Sequence, residues 1–260
     1  MIYISDSLVI TAITPLRNSR IGYESITFGK TPVASSTEAG FSALAPLYPT
    51  TYEYWKPSAM PATWAIDNGT EAMCDYAGVV GDIEGTTIQV QSSNDNSTWT
   101  TEVEGVATKK VAMFLFQPVG QRYWRIRFVN GAPKVSVIYI GLALSMQRSI
   151  YAGHTPITLS RQTEYSNNLS ESGQYLGRSI IRNGVVSSAA YQHLTADWYR
   201  ANFDPFVKAA RERPFFFAWR PDAYPEEVGF VWTSADIRPQ NTGPRDLMAV
   251  SFNMTGIGVD

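Results

Sequence analysis

Three stretches decide how this chain folds: Thr87-Ile-Gln-Val-Gln-Ser-Ser-Asn-Asp-Asn-Ser-Thr-Trp99, Gln121-Arg-Tyr-Trp-Arg-Ile-Arg-Phe128 and Val135-Ser-Val-Ile-Tyr-Ile140. In the first, Ile88 and Val90 alternate with Gln89 and Gln91, so one face points inward. The second alternates more sharply. Trp124, Ile126 and Phe128 share one face, and Tyr123, Arg125 and Arg127 share the other, which is the solvent side. The third is more continuously apolar and closes the core. Asn94-Asp-Asn-Ser97 supplies the turn after the first strand, because Asn and Asp tolerate positive φ.

Upstream of this stretch, Thr63–Asp67 and Cys74–Val80 read as strands, with Asn68-Gly69 and Gly81-Asp82 as turns. Residues 31–60 are rich in Ser, Ala, Pro and Tyr without a period and read as long loops. Short strands are expected over 7–12 and 22–28. Lys110–Phe116 is a further strand before the Tyr123–Phe128 one.

A second region opens near Ser145. Asn183-Gly184 is the strongest hairpin dipeptide in the chain, so Tyr175–Arg182 and Val185–Gln192 are expected to pair across it. Thr195 is placed to cap a helix over about 196–211. Tyr199, Phe203, Phe206, Val207 and Ala210 recur on one helical face. Pro205 inside that pattern either kinks the helix or begins a second segment capped by Asp204. Strands follow at Phe215–Trp219, Val228–Thr233 and Leu247–Met254, with loops at Arg238-Pro and Gly243-Pro between the last two.

A chain of 260 residues holds one large β domain or two ordinary ones. With 44% apolar and 17% charged residues it is core-forming rather than disordered. The net charge of −2 argues against a broad phosphate-tracking surface, so no nucleic-acid partner is expected. The single cysteine, Cys74, rules out an internal disulfide and reads as a small buried hydrophobe. The N-terminus lacks a secretory pattern, and no apolar run is long enough to span a bilayer. Synthesis in a reducing cytosol without membrane insertion is the expectation.

Tyr54-Trp55, Trp64-Ala-Ile-Asp67-Asn-Gly69, Val79-Val-Gly81, Ser92–Trp99 and Arg122-Tyr-Trp-Arg125 follow one another in an order that resembles the discoidin, or coagulation-factor type C, module. That resemblance covers roughly residues 30–144 and implies a galactose-binding-like jelly roll that presents loops to a ligand. Asn68 replaces the apolar residue usual before the Gly, and the cysteine pair of secreted members is absent. The region from about 150 to 260, with Arg178-Ser-Ile-Ile-Arg-Asn-Gly184 and Pro214-Phe-Phe-Phe-Ala-Trp219, resembles the tail-tube fold of long-tailed bacteriophages. The two together resemble a distal tail or baseplate protein of a siphophage. This implies a hexameric ring joining the tail tube to the tip, with the tail tube protein, tape measure and tail hub or tip proteins as partners.

Catalytic signals are sparse. His154 and His193 are the only histidines, and neither sits in a G-x-S-x-G, H-E-x-x-H or H-x-x-x-H context. The carboxylate pairs Asp67/Glu71, Asp82/Glu84, Glu102/Glu104 and Glu226/Glu227 lie beside turns, where acids are usually solvated. No phosphate-binding loop occurs. No catalytic residue, cofactor or metal is expected.

Two aromatic groups carry more weight. Tyr48, Tyr52, Tyr54 and Trp55 fall in a loop-like stretch, where aromatic faces stack on sugars or anchor partners, or else pack a long loop. Phe215, Phe216, Phe217 and Trp219 put large apolar groups on both faces of one strand, which fits either a subunit interface shared with Arg178 and Arg182 or a covered sheet. The expected protein is mainly β. Residues 1–30 would join a tail-tube-like sandwich with one flanking helix over 146–260, and 31–145 would form the discoidin-like sandwich. The expected function is a non-enzymatic virion component at the phage tail tip, self-associated in a ring and assembled in the host cytoplasm. A cell-surface glycan is its candidate ligand. The alternative is a stand-alone carbohydrate-binding, lectin-like protein, and a glycan-degrading enzyme has the least support.

Overall fold

A computed structural model describes residues 1–10, 15–243 and 245–257. Residues 11–12 of the strand expected over 7–12, and Pro244, lie outside the described residues. The first sheet contains β1 (Ile2–Ile4), β3 (Pro32–Ala34), β4 (Ala62–Asp82), β5 (Thr87–Ser93), β6 (Thr100–Val106), β7 (Val111–Phe128) and β8 (Lys134–Gly141). The second contains β2 (Arg20–Gly22), β9 (Leu144–Ser145), β10 (Arg161–Leu169), β11 (Tyr175–Thr195), β12 (Phe215–Ala218), β13 (Val228–Trp232), β14 (Arg238–Asn241) and β15 (Leu247–Ile257). One helix, α1 (196–210), joins β11 to β12. The protein is mainly β, as the alternating patterns predict.

The first sheet folds over on itself to make a sandwich. Its spine is the antiparallel pair β4–β7, two strands of 21 and 18 residues that serve both walls. The first half of β4 and the last half of β7 carry β3, β5 and β6, while their other halves carry β8 and β1. Asn68-Gly69, expected to end a strand, instead lies in a bulge where the register slips between Asp67 and Ala72. Gly69 takes φ +82° there, and the Asp67 carboxylate accepts its N–H at 2.7 Å. A bulge bends a strand without ending it, which is why the two expected strands are one. Between the walls lies a core that includes Trp64, Phe114, Trp124, Phe128 and Ile138.

Tyr76, Val80, Met113, Val137 and Tyr139 point the other way and form a second core with Phe216, Val228 and Phe230 of the second sheet. Gly78 permits the close approach: a Cβ there would stand 2.4 Å from the Phe216 ring. On the far side of the second sheet, Phe215, Phe217, Val231, Tyr191 and Phe252 pack against Phe203 and Phe206 of α1. The order of layers is therefore wall, wall, second sheet, helix. The expected pair of separately cored sandwiches becomes a stack whose middle core belongs to both parts. Residues 1–30 are likewise divided, since β1 lies parallel to β7 and β2 pairs with β12.

Helix α1 runs as expected, with a π segment over Tyr199–Phe203 ahead of Pro205. The wider turn accommodates a residue that has no N–H to donate. Thr195 stands at the cap position without capping; its hydroxyl accepts a bond from the Gln147 side chain at 3.1 Å. Asn183-Gly184 makes no turn. Strand β11 passes straight through it, paired with β10 on one side and β15 on the other. The real hairpin turns at Ser170–Gln174, where Gly173 takes φ +81°.

Candidate ligand-binding surfaces

The connection from β3 to β4 holds the aromatic loop. Trp55 is fully buried against Phe128, not stacked outward for a sugar. Its indole N–H donates to the Ser36 carbonyl at 3.1 Å, and its backbone forms a two-way bridge with Val135. Such a buried ring pins the loop to the sandwich. Tyr54, next in line, faces the other way and stacks on Phe41 at 4.9 Å. Lys56 lies 5.6 Å over the Phe41 ring and Lys134 5.6 Å over Tyr54. Glu38 and Asp82 pair with those two lysines. Tyr48 and Tyr52 remain 54% and 76% exposed, which leaves their rings open to a partner.

On the outer face of the sandwich, Arg125 and Arg127 stand side by side on β7, opposite Gln91 and Gln89 of β5. Arg125 donates to Gln91 at 2.7 Å and stacks 4.0 Å from the Trp99 ring; Arg127 donates to Gln89 at 2.9 Å. At the end of the same face, Arg122 makes a bidentate pair with Asp67 and holds that carboxyl down to about 2. Asp95 accepts the N–H groups of Ser97 and Thr98, so its carboxyl is also held well below the usual range. This ordered Asx turn is the polar loop that the sequence identified.

A cleft of about 500 Å³ lies between the sandwich and α1, lined by Tyr23, Phe28, Met73, Leu142, Lys208 and Arg213. The Arg213 guanidinium covers the Phe28 ring at 4.4 Å. No sequence signal pointed here, because its residues come from distant segments that only the folded chain brings together.

The residues expected at a subunit interface separate into two groups. Phe215, Phe216 and Phe217 are fully buried within one chain, Phe216 toward the sandwich and the other two toward α1. Trp219 is half-buried, stacked on Tyr224 at 5.1 Å and close to His154. These aromatics need no second subunit to cover them, which corrects that expectation. Arg178 and Arg182 lie elsewhere, on a projecting arm. From Arg161 to Leu169 and from Tyr175 to Asn183 almost every residue is exposed, although the two strands are paired only with each other over most of that length. Arg178 bonds Asn167 and covers the Tyr165 ring at 4.2 Å, and Arg182 pairs with Glu164 at 2.5 Å.

Five of the eight acids considered for catalysis have structural partners. Asp67 holds Arg122, Asp82 pairs with Lys134, and Glu102 and Glu104 accept from Ser92 and Gln89. Buried Glu227 accepts from the Thr158 backbone and hydroxyl. His154 has burial pressing its pKa down, and its Nδ1 bonds the Ser188 carbonyl at 2.8 Å. His193 is exposed on a bulge of β11 with φ 58°.

A family model described as the uncharacterised protein YqxG N-terminal domain matches residues 65–143. A search of the curated proteins found no match. Among solved structures, part of the chain is similar to chitosan-binding module 1 of a chitosanase/glucanase from Paenibacillus sp. IK-5. Identity is 19% and the TM-score 0.41, over 45% of this chain and 98% of that module. A pectin-binding carbohydrate-binding module is similar at 16% identity and a TM-score of 0.38, covering 42% of this chain and 88% of the other. A Ruminococcus gnavus GH29 fucosidase in complex with fucose matches at 18% identity and 0.42, over 46% of this chain. The chain spans 27% of that fucosidase and 28% of a further match, SpGH29.

Proposed function

We propose that the sandwich is a non-catalytic carbohydrate-recognising module and that its ligand docks on the β3–β4 loop. The observation that carries this reading is the pairing of a buried anchor with open rings. Trp55 fixes the loop, while Tyr48 and Tyr52 stand free of it. Preorganised tyrosines offer apolar faces to sugar C–H groups and hydroxyls to sugar oxygens at low entropic cost. The test is binding on a glycan array by the intact protein and by a Tyr48→Ala/Tyr52→Ala variant. Both rings are exposed, so the variant folds normally, and its loss of glycan signal is the expected result. An array on which both proteins give the same signal, or none, overturns the reading.

A second reading, the ring-forming subunit of a phage tail tip, is favoured by a separate observation: the arm made by β10 and the first half of β11. Tyr165, Leu169, Tyr175, Leu176, Ile180 and Ile181 are all exposed on it. Two strands alone are marginal in water. At about 100 Å² each, those six side chains offer roughly 600 Å², close to the ~800 Å² per partner of a stable interface. The arm also carries both signs of charge, so a second copy of the chain is the partner it suits. Light scattering at increasing concentration should report assembly that Leu176→Glu/Ile181→Glu abolishes. A monomer at all concentrations, or assembly unaffected by the substitutions, counts against it.

A further inference from the structure

The paired arginines on the outer face of the sandwich are built differently from the other basic groups around them. Arg122, Lys134 and Lys56 each face a carboxylate. Arg125 and Arg127 face amides. Each gives one hydrogen bond to a glutamine oxygen, and neither has an ion pair among the described residues. The glutamines are themselves fixed: Gln91 donates to Thr101 at 2.8 Å and to Gln89 at 3.3 Å, and Gln89 donates to Glu104. Trp99 lies against the plane of the Arg125 guanidinium. The nearby acids are each taken by another group, Glu104 by Gln89 on this face, Glu102 by Ser92 and Asp67 by Arg122.

A neutral amide orients a guanidinium without discharging it. The face therefore keeps two positive charges, roughly 7 Å apart as residues i and i+2 of one strand. Beside them the floor is low. The β4 partners of Arg125 and Arg127 are Ala65 and Thr63, and beyond Ala65 the exposed Val33 of β3 forms an apolar edge. Among the described residues each guanidinium gives one hydrogen bond, which leaves most of its N–H donors available above this trough. Planar forks held at fixed spacing match carboxylates better than they match diffuse charge.

We propose that this face binds the carboxylates of an acidic polysaccharide, with Arg125 and Arg127 gripping successive uronate groups. The proposal rests on the sandwich being a sugar-recognising module, but it uses a different surface from the tyrosine loop. Trp99 and the two glutamines are positioning residues, which keep the guanidinium planes parallel to the ligand.

The experiment is affinity electrophoresis of the intact protein in gels containing polygalacturonate, its methyl ester, dextran sulfate or single-stranded DNA. Retardation by polygalacturonate and not by the ester is expected, weakening as salt rises from about 50 to about 500 mM. Arg125→Gln/Arg127→Gln should weaken it roughly ten- to a hundredfold, the worth of charge-assisted hydrogen bonds. The same pair changed to Lys keeps the charge but loses the fork and should fall between. The tyrosine loop is read on the glycan array and this face by the arginine variants, so failure at the one and failure at the other are distinguishable. Unaltered melting of the arginine variants confirms that the fold survives. Equal retardation by the methyl ester, by dextran sulfate or by DNA, or none by polygalacturonate, overturns the proposal.

Discussion

The second sheet contains two stretches with apolar groups on both faces, and they meet opposite fates. Phe215–Phe217 is covered twice, by the β1–β8 wall of the sandwich on one side and by α1 on the other. Tyr175–Ile181 is covered by neither, because β10 and β11 run out past the edge of everything else. Local sequence is similar in character. What differs is whether the chain supplies further layers over that part of the sheet. A doubly apolar strand therefore reports a need for two covers, and says nothing about whether they come from the same molecule.

Breaking the covered region should cost most. Phe216→Ala empties the centre of the shared core and should lower stability by about 3–5 kcal/mol, read by chemical denaturation. The sandwich and the second sheet should still melt in one transition. Two separate transitions in the wild type would show that the shared core does not couple them. Gly78→Val pushes a side chain into the same ring and should cost about 1–3 kcal/mol or more.

A smaller effect is expected at the rim of that core. Burial pushes the Asp75 carboxyl up to about 6, against the opposing pull of the Ala143 N–H and of Arg20. A raised carboxylate pKa means that the protonated form is the one the fold prefers. Its contribution is complete below about pH 4 and is lost as pH rises through about 6. Asp75→Asn mimics that form and keeps an acceptor for Ala143. It should remove this loss and leave the variant roughly 1–3 kcal/mol more stable than wild type at pH 8. A wild type and variant with parallel stability–pH curves would refute the assignment.

The exposed region should be nearly silent in the same assays. Leu176→Glu/Ile181→Glu should shift the stability of the monomer by no more than about 0.5 kcal/mol, in contrast to Phe216→Ala. Gly184→Ala should change least, since its Cβ would meet the Gly256 and Gln162 carbonyls no closer than 3.4 Å. A large loss there would mean that the strand does turn at Asn183-Gly184 after all.

Periodicity revealed the parts of the fold that obey it. Trp124, Ile126 and Phe128 fall inside as alternation requires, and α1 covers the expected residues with Phe203 and Phe206 inward. Misreadings came from local signals overruled by tertiary pairing. Asn183-Gly184 favours a turn, but β10 and β15 hold the backbone extended on both sides of it. Asn68-Gly69 marked a real irregularity, yet a ladder partner on each side turned it into a bend. In the aromatic loop, composition could not tell Trp55 from Tyr52. Only the Val135 bridge, some 80 residues away in sequence, decides which ring goes inside. The arginine face was legible as two charges on one side of a strand. That glutamines rather than acids would stand opposite them depended on the β5–β7 register.

Strand β2 leaves the second sheet at Gly22, and β9 re-enters it beside β2, Ile21 facing Leu144 and Arg20 facing Ser145. The 121 residues that lie between Gly22 and Leu144 therefore depart and return through neighbouring doorways, about 5 Å apart. By chain path the sandwich, apart from β1, is a detachable cassette that a short splice would remove. By packing it is a lid: excision would strip the cover from Phe216 and Phe230, and the remainder would have to find a new one or precipitate.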